Sequence, residues 1–177
     1  MAEKEQTKYV IGPYEEGKKW VGRESEPWEA CVTVTKEAIE HFCEAIEDPN
    51  PLYWSDKYAA KTKWGERVAP SAMMTVWTMV PMWRPEWMET KPQRMLVSEV
   101  PLPGGQIIAT QFEMEYFRHA RVGDKISMKQ RLTGIEPTTS RVFGKAHNVM
   151  AETEYINQKG EVIGVSRSVL LRYTATK

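Results

Sequence analysis

The sequence predicts an α+β domain in which a long antiparallel sheet wraps around one buried helix. Residues 71–80, SAMMTVWTMV, are apolar on almost every side, and a helix without a polar face must be buried. In the second half of the chain, apolar residues recur at every second position, which is typical of long strands with one buried face. The length of 177 residues suits one hydrophobic core rather than two.

The first half of the chain predicts a lead-in followed by helices. Residues 1–28 are expected to be an irregular lead-in because glycine and proline interrupt them, and residues 29–177 are expected to form the domain. Residues 30–35 alternate like a strand, and a helix is predicted over 36–46 with Thr35 as its cap. Prolines end that helix, and Ser55 or Asp56 can begin a short second one.

The second half predicts four long antiparallel strands with one buried face. A long mixed run covers residues 142–156, and the sequences VGD (122–124) and NQKG (157–160) supply turns. The alternating apolar residues that define the other strands are Ile108, Phe112, Met114, Tyr116, Ile126, Met128, Leu132, Ile163, Val165, Val169, Leu171 and Tyr173.

The composition excludes several classes of function. Lysine plus arginine and aspartate plus glutamate both total 24, which argues against nucleic acid or an anionic membrane as a partner. No apolar run is long enough to span a membrane and the start is not a signal peptide, so a cytoplasmic protein is expected. The two cysteines, Cys31 and Cys43, are expected to be free thiols. No histidine–cysteine spacing suits zinc, and neither a metal nor a cofactor is expected.

Tryptophan and methionine concentrate between Met73 and Met95. These side chains supply large and adaptable apolar surface, which suits an apolar pocket or an interface and equally suits an ordinary core. Trp77 lies within this segment and is a candidate contact for a bulky apolar ligand.

One loop looks like a chemical site. In EDPNPLYWSDKYAA, residues 47–60, Asp48 and Asn50 are each followed by a proline, and Tyr53 comes shortly after. Aspartate and asparagine side chains close tight turns by accepting backbone hydrogen bonds, and proline stiffens such a loop. The segment therefore indicates a carboxylate held rigidly, either for chemistry or only as part of the scaffold.

The segment AIEDPNPLYWSDKYAA resembles the signature of the MaoC-like, R-specific enoyl-CoA hydratases. Asp48, Asn50, Pro51 and Leu52 match the family's Asp-x-Asn-Pro-aliphatic order, and Ala59 matches its trailing small residue. The segments GERVAPSAMMTVW and EYFRHARVGDKI resemble the parts of that family that follow, so the likeness covers roughly residues 30–173. The resemblance implies a hot-dog fold.

Three positions depart from the family pattern. Tyr53 stands where the family has its catalytic histidine, Glu47 stands where it has glycine, and Pro70-Ser71 replaces a frequent His-Gly. The resemblance implies that Asp48 is the water-activating acid/base, and that a backbone N–H near Ser71 or Ala72 binds the thioester oxygen. An ordinary tyrosine has a pKa of about 10, too high for a general base near neutrality, so Tyr53 would orient water or donate a hydrogen bond.

Other groups complete the predicted site. Asn50 would organise the loop, and Arg94 and Arg118 would be phosphate contacts for coenzyme A, since arginine binds phosphate with paired hydrogen bonds. The three histidines, His41, His119 and His147, lack a carboxylate at a suitable spacing and are not expected to be catalytic, with His119 expected at the surface.

The resemblance also implies a partner, because a single hot-dog unit leaves a sheet edge unpaired. The chain would form a homodimer or pair with a different hot-dog chain. It resembles degenerate-site subunits of heteromeric hydratases, including some that shorten steroid side chains.

The primary expectation is a lyase subunit of lipid metabolism that adds or removes water at 2-enoyl or 3-hydroxyacyl thioesters. One alternative is a non-catalytic subunit that binds the acyl chain beside a catalytic Asp/His subunit. Another is a thioesterase-like or acyl-CoA-binding protein, although residues 71–80 hold no carboxylate for hydrolysis. Acyl-chain identity, coenzyme A against acyl carrier protein, and the identity of the partner stay open.

Overall fold

The computed structural model describes residues 9–29, 32–79, 83, 85, 87 and 95–175. Within these residues, five short helices precede the first strand, and two 3-10 turns lie between the fourth helix and the fifth. The helices are α1 (Tyr14–Lys18), α2 (Lys36–Ala45), α3 (Pro51–Trp54), α4 (Asp56–Ala59) and α5 (Leu96–Glu99). The strands are β1 (Gln106–Tyr116), β2 (Ser127–Ser140), β3 (Gly144–Ile156) and β4 (Val162–Tyr173).

The four strands form one antiparallel sheet in the order β1-β4-β3-β2. This confirms the predicted strands and the turn at NQKG, where the Asn157 side chain accepts hydrogen bonds from the backbone N–H groups of Lys159 (2.9 Å) and Glu161 (3.0 Å). Register shifts between Ala109 and Gln111 and between Leu132 and Gly134 mark bulges, which increase the local twist of a sheet.

The central apolar segment is buried in part: Met73, Met74 and Trp77 are buried as predicted, whereas Ala72 and Met79 are exposed and residue 80 lies outside the described part. Its hydrogen bonds also differ from those of one α-helix. It forms two 3-10 turns, Ser71–Met73 and Val76–Thr78, each closed by bonds between residues three apart. Thr75, Val76 and Thr78 are β-branched and lose side-chain freedom in an α-helix, which favours this broken form.

The main core forms around these turns. Strand residues such as Met128, Tyr155 and Ile163 belong to the same buried cluster as Met73 and Trp77. The sheet therefore wraps the central segment, as the sequence predicted. The helix predicted over 36–46 is also confirmed as α2, with the Thr35 hydroxyl accepting a hydrogen bond from the Ala38 N–H.

The lead-in is attached to the sheet over its described part. Tyr14, in α1, and Trp20 pack against a second core cluster built from α5 and the strands β2 and β3. Further along, the backbone of Trp28 exchanges hydrogen bonds with that of Met128, at 2.7 and 2.8 Å, and so lies along the outer edge of β2. Placing the domain boundary at residue 28 stays a prediction.

Two further expectations concern the predicted strand before α2 and membrane-spanning helices. Of the predicted strand 30–35, residues 30 and 31 lie outside the described part, and Thr33 forms only an isolated bridge with Lys125. Across the described ranges, no helix combines the length and apolar character needed to cross a membrane.

Candidate active site

The loop after α2 is held by backbone and side-chain hydrogen bonds. The Asp48 N–H donates to the Cys43 carbonyl at 2.9 Å, which ties the loop to the end of α2. Glu47, just before it, has φ 55°, in the left-handed region that favours glycine. The resemblance placed a glycine at this position, and its backbone conformation explains that preference. In this chain a glutamate adopts the same conformation.

Asp48 and Asn50 form two consecutive side-chain turns. The Asn50 N–H donates to Asp48 Oδ1 at 2.9 Å, and the Leu52 N–H donates to Asn50 Oδ1 at 3.1 Å. Asn50 thereby caps α3, and Pro51 occupies its first position, where a missing N–H costs nothing. The Trp54 indole also donates to the Asp48 carbonyl oxygen at 2.7 Å. The predicted rigid loop is thus present.

One oxygen of the Asp48 carboxylate is available for chemistry. Oδ1 accepts the Asn50 N–H, whereas Oδ2 has neither a hydrogen bond nor an ion pair within the described residues. Asp48 is half-buried, so the free oxygen belongs to a group that is held in place and still reachable. A carboxylate oxygen held in this way is free to accept a hydrogen bond from a ligand or a water molecule.

Tyr53 lies close enough to Asp48 for their charges to interact. Burial raises the pKa of the Tyr53 phenol, and the negative charge of Asp48 and the Cys43 thiol raise it further. Its ring packs against the main core and against a small cluster of Leu52, Ala59 and Val68. At neutral pH the phenol therefore stays protonated, so it can donate a hydrogen bond and cannot serve as a base.

Cys43 is a buried, unreactive neighbour of this pair. Burial, and secondarily the charge of Asp48, raise the pKa of its thiol. It is a free cysteine, as predicted. Cys31 lies outside the described residues.

The predicted thioester-binding turn begins at Ser71. The first 3-10 turn uses the N–H groups of Met73 and Met74, and in the described backbone bonding those of Ser71 and Ala72 have no acceptor. Ser71 is half-buried and Ala72 is exposed. Two N–H donors and the Ser71 hydroxyl therefore lie together at this turn.

His119 contacts this turn, contrary to its expected surface position. The His119 ring nitrogen Nδ1 lies 3.0 Å from the Ala69 carbonyl oxygen and 3.3 Å from Ser71 Oγ. The Trp64 ring meets the imidazole edge to face, with 4.7 Å between centroids. No local pattern in the sequence indicates this contact, because His119 and Ser71 are 48 positions apart.

The remaining predicted contacts lie elsewhere or are already engaged. Trp77 is fully buried in the main core, at 0% exposure, and therefore contacts protein rather than solvent. Arg118 donates to Asp124 at 3.1 Å, to Glu161 at 3.2 Å and to the His119 carbonyl at 2.7 Å. These contacts join two turns and give Arg118 a structural role, so its phosphate contact stays a prediction. Arg94 lies outside the described residues.

The other two histidines are not part of this site. The ring of His147 stacks on Tyr14, with 5.3 Å between centroids, and burial lowers its pKa. His41 is exposed on α2. In the part of the chain that the structure describes, no group of histidine, cysteine, aspartate or glutamate side chains is arranged to hold a metal ion.

Comparison with solved structures confirms the hot-dog fold. The chain is similar to a chain of the ChsH1–ChsH2 complex from Mycobacterium tuberculosis, with 21% identity, TM-score 0.71, and coverage of 92% of this chain and 94% of the other. It is also similar to a MaoC-like dehydratase from Rhodospirillum rubrum, with 23% identity, TM-score 0.62, and coverage of 89% and 94%. At these identities the likeness is one of fold.

Sequence relatives give a more specific relationship. The chain is 32% identical to a probable enoyl-CoA hydratase alpha subunit from Thermomonospora curvata, over 89% of this chain and 51% of that protein. It is 31% identical to a 3-oxo-4,17-pregnadiene-20-carboxyl-CoA hydratase alpha subunit from M. tuberculosis, over 76% and 41%. The chain thus spans about half the length of these relatives or less.

A family model confirms the relationship over most of the chain. Residues 19–165 match the model described as the FAS1-like dehydratase domain region. The matched range holds the Asp48 loop, the Ser71 turn and most of the sheet. The resemblance inferred from the sequence motif is therefore confirmed, and this chain belongs to the FAS1-like dehydratase domain family.

Proposed function

We propose that this chain is a hydratase/dehydratase subunit that adds water to 2-enoyl thioesters or removes it from 3-hydroxyacyl thioesters. The observation that carries the proposal is the state of Asp48, whose Oδ1 is fixed by the Asn50 N–H while Oδ2 is without a partner among the described groups. The relatives named as hydratase subunits support the same reaction class.

In the hydration direction, Asp48 takes a proton from a water molecule as the water oxygen bonds to C3 of the enoyl thioester. Electrons of the C2–C3 double bond move onto the thioester oxygen, which accepts hydrogen bonds at the Ser71 turn. A proton then returns to C2, and the thioester carbonyl re-forms. Tyr53 donates its hydrogen bond to the water and orients it. The dehydration follows the same steps in reverse.

We further infer that a second hot-dog subunit binds along the edge of β1. Within the described residues, no segment pairs with the outer edge of this strand. Large apolar side chains are exposed along this strand, namely Ile108, Phe112 and Tyr116, and Phe117 follows at 54% exposure. An open apolar edge favours pairing with another strand. The acyl-CoA thioester remains the proposed ligand, and the partner is a second copy or a related chain.

The second candidate function is a non-catalytic subunit that shapes the acyl site of an Asp/His partner. The protonated Tyr53 phenol in the histidine position favours it, since this residue cannot share the role of base. The alpha-subunit relatives and the ChsH1–ChsH2 complex make such pairing a reasonable model. A thioesterase is less well supported because residues 71–80 supply no carboxylate.

The test is the loss of enoyl-CoA absorbance with the purified chain alone, using one short and one bulky acyl group. Asp48→Asn keeps an oxygen acceptor for the Asn50 N–H and removes the carboxylate, so its fold should persist. Glu47→Gln is the matched control because Glu47 is exposed and adjacent. Turnover abolished by Asp48→Asn alone supports catalysis by this chain. Thioester binding without turnover supports the non-catalytic role, and absence of both would contradict the proposed function.

A further inference from the structure

The contacts of His119 determine where its ring proton lies. Nδ1 is 3.0 Å from the Ala69 carbonyl oxygen, and a carbonyl oxygen can only accept a hydrogen bond. Nδ1 must therefore carry a hydrogen. The second contact of the same nitrogen, 3.3 Å to Ser71 Oγ, is then also a donation by the histidine.

This assignment has a consequence for the Ser71 hydroxyl. Because Oγ receives the His119 N–H, its own hydrogen points away from the imidazole and is available to another acceptor. Had the histidine been an acceptor at Nδ1, it would have taken up that hydrogen. The imidazole thus leaves the Ser71 hydroxyl hydrogen directed away from His119, where it can donate to another acceptor.

The surrounding structure fixes the imidazole and the turn together. The Ala69 N–H donates to the Ala120 carbonyl at 2.8 Å, and Val68 bridges to Arg121, so the segment before Ser71 runs beside the segment that holds His119. The Arg118 guanidinium holds the His119 carbonyl at 2.7 Å, and the Trp64 ring contacts the imidazole. The two segments therefore form one unit.

The same unit adjoins the Asp48 loop. Tyr53 packs against the small cluster that contains Val68 and against the main core, to which Ala69 belongs. The Asp48 loop and the segment that leads into the Ser71 turn therefore pack against the same core.

We propose that His119 is a positioning residue that orients the Ser71 hydroxyl as a hydrogen-bond donor to the thioester carbonyl oxygen. The inference rests on the proposed thioester ligand. It assigns the contact with the ligand to Ser71, while His119 acts through Ser71 and does not touch the substrate.

The first measurement is nitrogen-15 NMR of the histidine side chains in the purified chain without ligand. His119 should show a persistent Nδ1–H, and its signals are identified by their loss in His119→Asn. The exposed His41 serves as the internal reference for an imidazole whose tautomers interconvert. A His119 ring with hydrogen only on Nε2 would overturn the proposal, whatever the chain binds.

The second measurement compares two unreactive ligands, butyryl-CoA and S-butyl-CoA, which differ by the carbonyl oxygen. The wild-type chain should prefer the thioester by about fivefold, the worth of one ordinary hydrogen bond. Ser71→Ala and His119→Phe should lower that preference, because only the backbone N–H donors of the turn then remain for the carbonyl oxygen. His119→Phe keeps a ring against Trp64 and removes the donor, whereas His119→Asn places an amide N–H where Nδ1 was and should retain the preference. His41→Phe is the control.

The outcomes separate the two proposals. Equal binding of both ligands by the wild-type chain, or a preference unchanged in His119→Phe, would overturn the role of His119 and leave the proposed function intact. Failure of the wild-type chain to bind either ligand would contradict thioester binding itself. Equal weakening of both ligands in His119→Phe would indicate a purely structural histidine and would also overturn the inference.

Discussion

The Arg172 guanidinium donates a hydrogen bond of 2.7 Å from Nη2 to the Val10 carbonyl oxygen and so joins β4 to the lead-in. Its Nε donates to the Gly104 carbonyl at 2.7 Å, and the guanidinium lies 4.7 Å from the centre of the Tyr9 ring. The side chain is fully buried at 0% exposure, and burial lowers its pKa. Within the described structure, backbone carbonyls and an aromatic face stabilise this charge in place of a carboxylate.

Arg172→Lys is expected to destabilise the fold. A lysine ammonium cannot reproduce the planar set of donors that reaches Gly104 and Val10 at once, so at least one buried carbonyl loses its partner. The expected loss is about 2–4 kcal/mol in the free energy of unfolding, measured by urea denaturation. Arg167→Lys is the matched control on the same strand, because Arg167 is exposed and forms surface ion pairs with Glu115 and Glu152. Equal effects of the two substitutions would contradict the role given to Arg172.

Asn50→Ala should loosen the Asp48 loop. It removes the side-chain oxygen that accepts the Leu52 N–H and caps α3. The loss of such a cap costs about 1 kcal/mol, which thermal denaturation would register as a lower Tm. Asn50→Asp retains an acceptor oxygen and should stay near wild type. A stable Asn50→Ala variant would show that Pro51 alone is sufficient to hold the loop.

Tyr53→Phe should alter the stability of the protein at alkaline pH. The pKa of Tyr53 is raised in the folded chain, so the folded state holds the phenol proton more tightly than the unfolded state does. This contribution is complete below the ordinary tyrosine pKa of about 10 and is lost as the pH rises through the folded-state pKa. Wild type should therefore lose more stability than Tyr53→Phe between pH 9 and pH 11 in urea denaturation.

The buried Tyr155 supplies the comparison for that experiment. Burial also raises its pKa, so Tyr53→Phe should retain part of the alkaline loss. Identical pH profiles for wild type and Tyr53→Phe would mean that the Tyr53 phenol ionises as it does in water. In the proposed reaction, the same variant should reduce hydration about tenfold by removing one oriented donor.

Phe112→Lys should prevent subunit pairing along β1. Phe112 is 56% exposed at the centre of the open strand, and a lysine there would place a charge in the proposed interface. Sedimentation should show the variant as a monomer at concentrations where wild type is associated with itself or with its partner chain. Val142→Lys is the control, since Val142 is 75% exposed at the turn between β2 and β3. Association that survives Phe112→Lys would place the interface elsewhere.

The sequence predicted those features that repeat along the chain. Alternating residues such as Met114 and Tyr116 identify a strand wherever one face is buried, and Thr35 identifies a helix start through its own hydrogen bond. The Asp48 and Asn50 turns were also predictable, because a side chain that bonds the backbone two residues later acts locally.

Contacts between residues that are far apart in the sequence could not be predicted from local patterns. His119 meets Ser71 across 48 positions of sequence, and Arg118 meets Glu161 across 43, so neither partner is indicated by local spacing. The division of the central segment into two 3-10 turns could not be predicted from its apolar pattern alone. Apolar periodicity indicated a helix, whereas β-branched Thr75, Val76 and Thr78 favoured short 3-10 turns in a buried setting.

The pairing of the lead-in with β2 determines which edges of the sheet are free to pair with another chain. Backbone bonds from Gly22 to Leu132, from Ser25 to Gln130 and between Trp28 and Met128 satisfy groups on that edge, which leaves the edge of β1 as the unpaired side of the described sheet. Among the described residues, the lead-in thus covers the Met128–Leu132 part of the β2 edge, whereas the whole length of β1 is open to a pairing strand. Removal of residues 1–28 would expose that part of the β2 edge as well, and chains able to pair at both sides of the sheet would extend into open-ended assemblies.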